Sequence, residues 1–145
     1  MEIPLTILDE CFRHGIEAYP EEACGLITEI EGSLELHRTR NVMDEFHCRE
    51  PERYQRTNLN GYMIDPMEIV RLDGLGQKLR IAYHSHPDKV GYFSEMDQEE
   101  ALWNGMPKYP GLDYLVCGIA DGKPNGAVLA VFNTETGKFE IRQIG

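Results

Sequence analysis

The sequence predicts a mixed α/β (α+β) sandwich, with helices packed on a mostly antiparallel sheet. Two observations carry this. Apolar periodicity runs in the order helix, hairpin, helix, strand, helix and then successive strands joined by Asp-Gly and Thr-Gly turns. No G-x-G-x-x-G or Walker A sequence occurs, which argues against a doubly wound nucleotide-binding fold.

Residues 5–19 place Leu5, Leu8, Cys11, Phe12, Gly15, Ile16 and Tyr19 at the spacing of an amphipathic helix, and Pro20 ends it. Ala23 to Ile30 reads as a strand, Glu31-Gly32-Ser33 as a tight turn, and Leu34 to Val42 as the hairpin partner. Residues 43–60 are polar and aperiodic and read as a long loop, a feature usually functional or mobile. Gly61 to Ile64 reads as a short strand. Asp65 then caps a helix that has Pro66 at its first position and runs to about Gly76. Lys78 to His86 is a strand, after which Pro87 is expected to stop the ladder. Ser94 caps a further helix ending near Gly105, and Tyr114 to Ala120, Ala127 to Asn133 and Lys138 to Ile144 complete the sheet.

The chain has 145 residues, a length that fits one domain, 1–145, and its 41% hydrophobic and 27% charged residues suit an ordinary globular protein. No apolar run approaches the roughly 20 residues that span a bilayer. The opening Met-Glu-Ile-Pro-Leu-Thr carries an acid where a secretion signal carries positive charge, so a cytoplasmic protein without such a signal is expected. A net charge of −11 with no basic stripe argues against nucleic acid and suits a soluble surface or a basic protein partner. Cys11, Cys24, Cys48 and Cys117 form no C-x-x-C pair; Cys11, Cys24 and Cys117 fall in apolar segments and read as buried thiols in a reducing compartment.

One constellation carries chemistry. His84 and His86 stand two apart on a strand, so both imidazoles project to one face and can share a metal. Asp97 falls in the first turn of the next helix, where its carboxylate can face the strand end. Two histidines and one carboxylate leave a tetrahedral position open, the arrangement of a catalytic zinc. Taken alone, Ser94-x-x-Asp97 reads more readily as a capping box than as part of a metal site, and a His-x-His pair is a weak signal. The combination is far rarer than its parts.

The form H-x-H-x(7)-S-x-x-D, spelled by His84, His86, Ser94 and Asp97, resembles the signature of the JAMM (MPN-plus) metalloproteases. Upstream, Pro20-Glu21-Glu22-Ala23-Cys24-Gly25 resembles the P-x-E-x-C-G segment of their prokaryotic branch. The resemblance spans nearly the whole chain and implies a cytidine-deaminase-like, JAMM-type sandwich. It implies that His84, His86 and Asp97 bind zinc, that Glu22 is the general base acting on the water, and that Ser94 donates to the oxyanion. Glu21 competes for the base position, and the motif favours Glu22. His14 and His37 are expected at the surface, while His47, beside Cys48, is a conceivable second metal contact.

The resemblance further implies an isopeptidase that cuts after the C-terminal Gly-Gly of a ubiquitin-like or sulfur-carrier protein, in some members releasing an amino acid such as cysteine. Such a tail could lie along a sheet edge. Segments 43–60 and 104–112 are candidate channel walls, with Phe46, Tyr54, Tyr92, Phe93 and Trp103 as apolar contacts. A peptidase of phage-tail or cell-wall processing and a noncatalytic scaffold of the same fold are the alternatives.

Overall fold

The computed structural model describes residues 2–145. Its elements run α1 (Leu5–Ala18), β1 (Cys24–Ile30), β2 (Ser33–Thr39), α2 (Met43–Arg49), α3 (Pro66–Gly74), β3 (Lys78–Pro87), α4 (Glu95–Ala101), β4 (Leu102–Trp103), β5 (Met106–Pro107), β6 (Asp113–Ala120), β7 (Lys123–Asn133) and β8 (Lys138–Gln143). Six strands form one sheet in the order β2-β1-β3-β6-β7-β8. Every neighbouring pair is antiparallel except β3 with β6. This is the mixed, mostly antiparallel α/β architecture that the periodicity predicts.

Strand alternation sorts the core onto the two faces of the sheet. Ile27, Ile81, Tyr83, Leu115, Cys117 and Ile119 pack with Leu8, Cys11 and Phe12 of α1. Leu26, Ala82, Tyr114 and Ala130 pack on the other face with Leu72 of α3 and Ala101 of α4. α1 approaches closely because Gly15 has no Cβ, which would sit 2.9 Å from the Ser85 Cβ. His84 and His86 share the Ala82 side by the same alternation, so the two imidazoles emerge beside α4.

Several local expectations are corrected. Residues 43–60 open with α2, whose first turn holds Asp44 and Glu45 and whose last holds His47 and Arg49, matching the helix dipole. Seven residues are too few for an apolar stripe to be read in the sequence. In place of a strand at 61–64 there is an isolated bridge between Asn41 and Ile64. Pro87 does not stop β3 but lies in register with Ile119. α4 ends at Ala101, ahead of Gly105, because β4 and β5 fold into a small hairpin over Asn104-Gly105, both at positive φ.

The histidines outside the constellation also differ from expectation. His14 is half-buried, its Nδ1 2.8 Å from the Tyr83 hydroxyl, and His37 is half-buried, its Nε2 2.9 Å from Thr28 Oγ1. His47 places Nδ1 2.8 Å from the Tyr54 carbonyl oxygen, a local contact, and among the described residues it joins no cluster of metal-ligating side chains. Cys11, Cys24 and Cys117 are buried free thiols, and Cys48 is exposed. Among the described residues no helix is long and apolar enough to cross a membrane.

Candidate metal centre

Four elements converge at the carboxyl end of β3. β1 and β3 pair with Cys24 opposite His84, and continuing that register brings Glu22, just ahead of β1, to the level of His86. Ser85, between the histidines, ties the two segments together. Its Oγ accepts from the Ala23 N–H at 2.8 Å, and its own N–H donates to the Ala23 carbonyl at 3.0 Å. The Glu22 backbone is held from the other side: its N–H donates to the Asn58 carbonyl at 2.8 Å, and its carbonyl accepts from Asn41 Nδ2 at 3.0 Å. Asn58 is fixed in turn by reciprocal bonds with Asp44, each 2.8 Å. Residues 41–58 therefore frame the site, and Arg56, Leu59 and Asn60 line the cavity beside it, on the segment 43–60 expected as a wall; the Asn41, Asp44 and Asn58 contacts were not read because single Asn and Asp caps carry no periodic signal.

Asp97 arrives from α4. Ser94 Oγ accepts from the Asp97 N–H at 3.0 Å, and Asp97 Oδ2 accepts from the Ser94 N–H at 3.1 Å, so the capping box is present. The box orients the carboxylate toward β3. The loop joining His86 to Ser94 is pinned at its centre, where Gly91 and Gly118 pass so closely that a Cβ on Gly118 would lie 2.2 Å from Gly91 N and 2.3 Å from the Asn125 carbonyl oxygen. Gly118→Ala is expected to destabilise the protein by about 1–3 kcal/mol, the usual cost of overpacking, measured as a lower urea midpoint. An unchanged midpoint would show that the crossing relaxes.

The three candidate ligands meet at their tips. His84 Nε2 lies 3.1 Å from His86 Nε2. Asp97 Oδ1 is 3.2 Å from His84 Nε2, and Oδ2 is 3.3 Å from His86 Nε2. Tetrahedral zinc with bonds of 2.0–2.1 Å separates its ligands by about 3.3–3.4 Å, so the spacing fits one small divalent ion. Both Nδ1 atoms are buried without a hydrogen-bond partner among the described residues, so the imidazoles are not turned this way by hydrogen bonds on their far side. Aromatic rings hold them instead: Tyr62 stacks on His84 with centroids 4.2 Å apart, and Tyr92 meets His86 edge-on at 5.0 Å. Tyr62 was not singled out from the sequence.

Glu22 also brings an oxygen within 4.8 Å of a nitrogen on each imidazole, so Glu22, His84 and His86 could equally be counted as a metal-holding set. The Asp97 contacts are the tighter ones, and the Glu22 carboxylate has no hydrogen-bond partner among the described residues. Burial raises the Glu22 pKa, with the imidazoles opposing it. Burial also works to raise Asp97, but the two imidazoles outweigh it and hold that carboxyl well below the usual range. Glu22 is only 8% exposed, whereas Glu21 is exposed, so it is Glu22 that the fold delivers. Cys24 is not a competing donor: burial pushes its thiol up to about 12, and its Sγ lies 3.4 Å from Thr39 Oγ1.

A cavity of about 350 Å³ opens over these groups, lined by Glu22, His86, Ser94 and Asp97 together with Arg56 and Tyr92. The expected aromatic channel is therefore mostly absent. Phe46 and Tyr54 pack on each other, and Phe93 lies in the core against Tyr114 and Phe139. Trp103 is 73% exposed in β4, and no residue of 104–112 lines the cavity.

A model of prokaryotic homologs of the JAB domain matches residues 4–139. Among solved structures, the chain is similar to a protein from Salinibacter ruber, at 28% identity and a TM-score of 0.62, over 99% of this chain and 90% of that one. It also resembles a protein from Desulfitobacterium hafniense in fold, at 19% identity and a TM-score of 0.63, over 95% and 86% of the two chains. No curated protein matches it.

Proposed function

The chain belongs to the family of prokaryotic homologs of the JAB domain, and on that premise we propose that it is a zinc metallopeptidase. In this reading it hydrolyses the amide or isopeptide bond after the C-terminal Gly-Gly of a ubiquitin-like or sulfur-carrier protein. The observation that carries the proposal is the meeting of His84 Nε2, His86 Nε2 and the Asp97 carboxylate at 3.1–3.3 Å, with Glu22 beside them in one cleft.

His84, His86 and Asp97 would hold the zinc. Zinc at such a site supplies Lewis acidity, making water a stronger acid and polarising a carbonyl oxygen. Glu22 then manages the proton. Its carboxylate oxygen takes a proton from the attacking water as the new carbon–oxygen bond forms, then passes it to the leaving nitrogen as the carbon–nitrogen bond breaks. Partial burial makes this carboxylate more basic than an exposed one, which favours uptake of the proton.

Ser94 serves as cap and donor at once. Its Oγ accepts the Asp97 N–H through a lone pair, which leaves its own hydroxyl hydrogen free to donate to the oxyanion developing on the scissile carbonyl. Tyr62 and Tyr92 keep the imidazoles from rotating.

The test is mass spectrometry of zinc-loaded protein incubated with carrier proteins carrying an amine on Gly-Gly. The expected products are carrier ending in free Gly-Gly and the released amine, a gain of one water in total. If every Gly-Gly adduct is recovered intact, the proposal is wrong.

A further inference from the structure

The mouth of the cavity over the metal centre differs from the rest of the surface. Leu59, Tyr92 and Met96 line that cavity and are 60%, 42% and 46% exposed. They come from three separate segments: the turn ahead of Gly61, the loop between His86 and Ser94, and the first turn of α4. Exposed apolar side chains occur singly on any protein, and the exposed Met67 and Val70 both stand on one helix, α3. A rim assembled from three segments around one opening is a different case, because covering it takes a partner that straddles the cavity.

The charges at this opening are sorted by depth. Its two carboxylates, Glu22 and Asp97, are only 8% and 7% exposed and stand against the imidazoles. Its two cations, Arg56 and Lys89, are the more accessible charges. Arg56 is half-buried and shares its charge with Glu100 at 3.5 Å, while Lys89 is exposed and makes no ion pair among the described residues. The whole chain carries 25 acidic against 14 basic residues, so its general surface attracts a basic partner. At the cavity mouth the accessible charge has the opposite sign.

We propose that this rim is the docking surface for the folded body of the carrier, and that the face it fits is apolar around the root of the tail and acidic at its edge. The identity of the partner rests on the hydrolase reading above; the chemistry of its face rests on the rim. Leu59, Tyr92 and Met96 form the apolar centre of the contact, where Met and Tyr are favoured side chains. The Tyr92 ring also meets His86 edge-on at 5.0 Å, so rim and metal centre share it. Lys89 and Arg56 select by sign, attracting a carboxylate edge and repelling one of lysine or arginine. The Gly-Gly tail then runs inward from the seated body, with no side chains to obstruct its approach.

One ubiquitin-like carrier ending in a free Gly-Gly carboxylate is made in two forms, with the exposed residues around the root of its tail all Asp and Glu or all Lys and Arg. Such a carrier is the product of the reaction, so calorimetry with zinc-loaded wild-type protein reads binding without turnover. The acidic form should bind at least about tenfold more tightly at low salt, and the gap should close as salt rises. Lys89→Glu should shrink or invert the gap. Leu59→Ser and Met96→Ser, both at exposed positions, should weaken binding of both forms by about threefold to tenfold and leave the gap in place. Equal binding of the two forms, tighter binding of the basic form, or a gap that Lys89→Glu does not move overturns the docking surface. So does sedimentation of the protein alone as a dimer that Met96→Ser dissociates, which would assign the rim to a second copy of this chain. Cleavage is scored separately on the same carriers extended as Gly-Gly-Ala. Preferential binding without cleavage overturns the hydrolase and leaves the surface standing, whereas cleavage with equal binding does the reverse.

Discussion

Zinc-replete Glu22→Gln is expected to turn over at least about a hundredfold more slowly than the wild type while retaining its metal, because glutamine keeps the shape of the side chain but cannot accept a proton. The fold itself should tolerate the change. Glu22 is held through its backbone, by the Asn58 carbonyl and the Asn41 amide, and its carboxylate has no hydrogen-bond partner to lose. Because burial raises its pKa, the charged form is disfavoured in the folded protein, and a neutral amide should leave the Tm equal or slightly higher. A loss of turnover combined with an intact Tm and full zinc content therefore assigns Glu22 to the proton. Normal activity with zinc bound would remove it from the mechanism, and loss of zinc would move it among the ligands with His84 and His86.

Removal of a ligand should have the opposite signature. His84→Ala and Asp97→Asn are expected to lose both zinc and activity. His84 is fully buried between Tyr62 and Asp97, and the Asp97 oxygens lie nearest the imidazole nitrogens, at 3.2 and 3.3 Å. In the wild type, zinc present at a thousandfold excess over its Kd stabilises the folded state by about 4 kcal/mol, or a rise in Tm on the order of 8–16 °C for a chain of this size. The variants should show almost none of that rise. Asp97→Asn is the more informative of the two, since an amide can still accept the Ser94 N–H and preserve the cap. A full zinc-dependent rise in Asp97→Asn would show that Glu22, not Asp97, completes the ligand set.

The parts of this site that were legible in the sequence are those set by local geometry. His84 and His86 face one way because strand side chains alternate, and Asp97 faces the strand because Ser94 caps its helix. What brings them together is nonlocal. Nothing in the residues themselves says that β1 pairs with β3 in the register that carries Glu22 to His86, and only the family resemblance supplied it. Asn58 and Arg56 belong to a stretch with no apolar period, and Asn41 and Tyr62 flank it; their contacts at the site are single hydrogen bonds, one ion pair and one stacked ring, which leave no pattern in the sequence. The helix over Met43–Arg49 was hidden for a related reason: it buries little beyond Met43 and is too short for a pattern. His14 and His37 looked like surface residues because their partners, Tyr83 and Thr28, lie far along the chain or across a hairpin.

Zinc K-edge X-ray absorption on the loaded protein tests the central claim most directly. Nitrogen and oxygen scatterers at about 2.0–2.1 Å, with the outer-shell signature of two imidazoles, are the predicted result for His84, His86 and Asp97. A sulfur shell at about 2.3 Å, which would implicate Cys24, or a spectrum without imidazole, would contradict it.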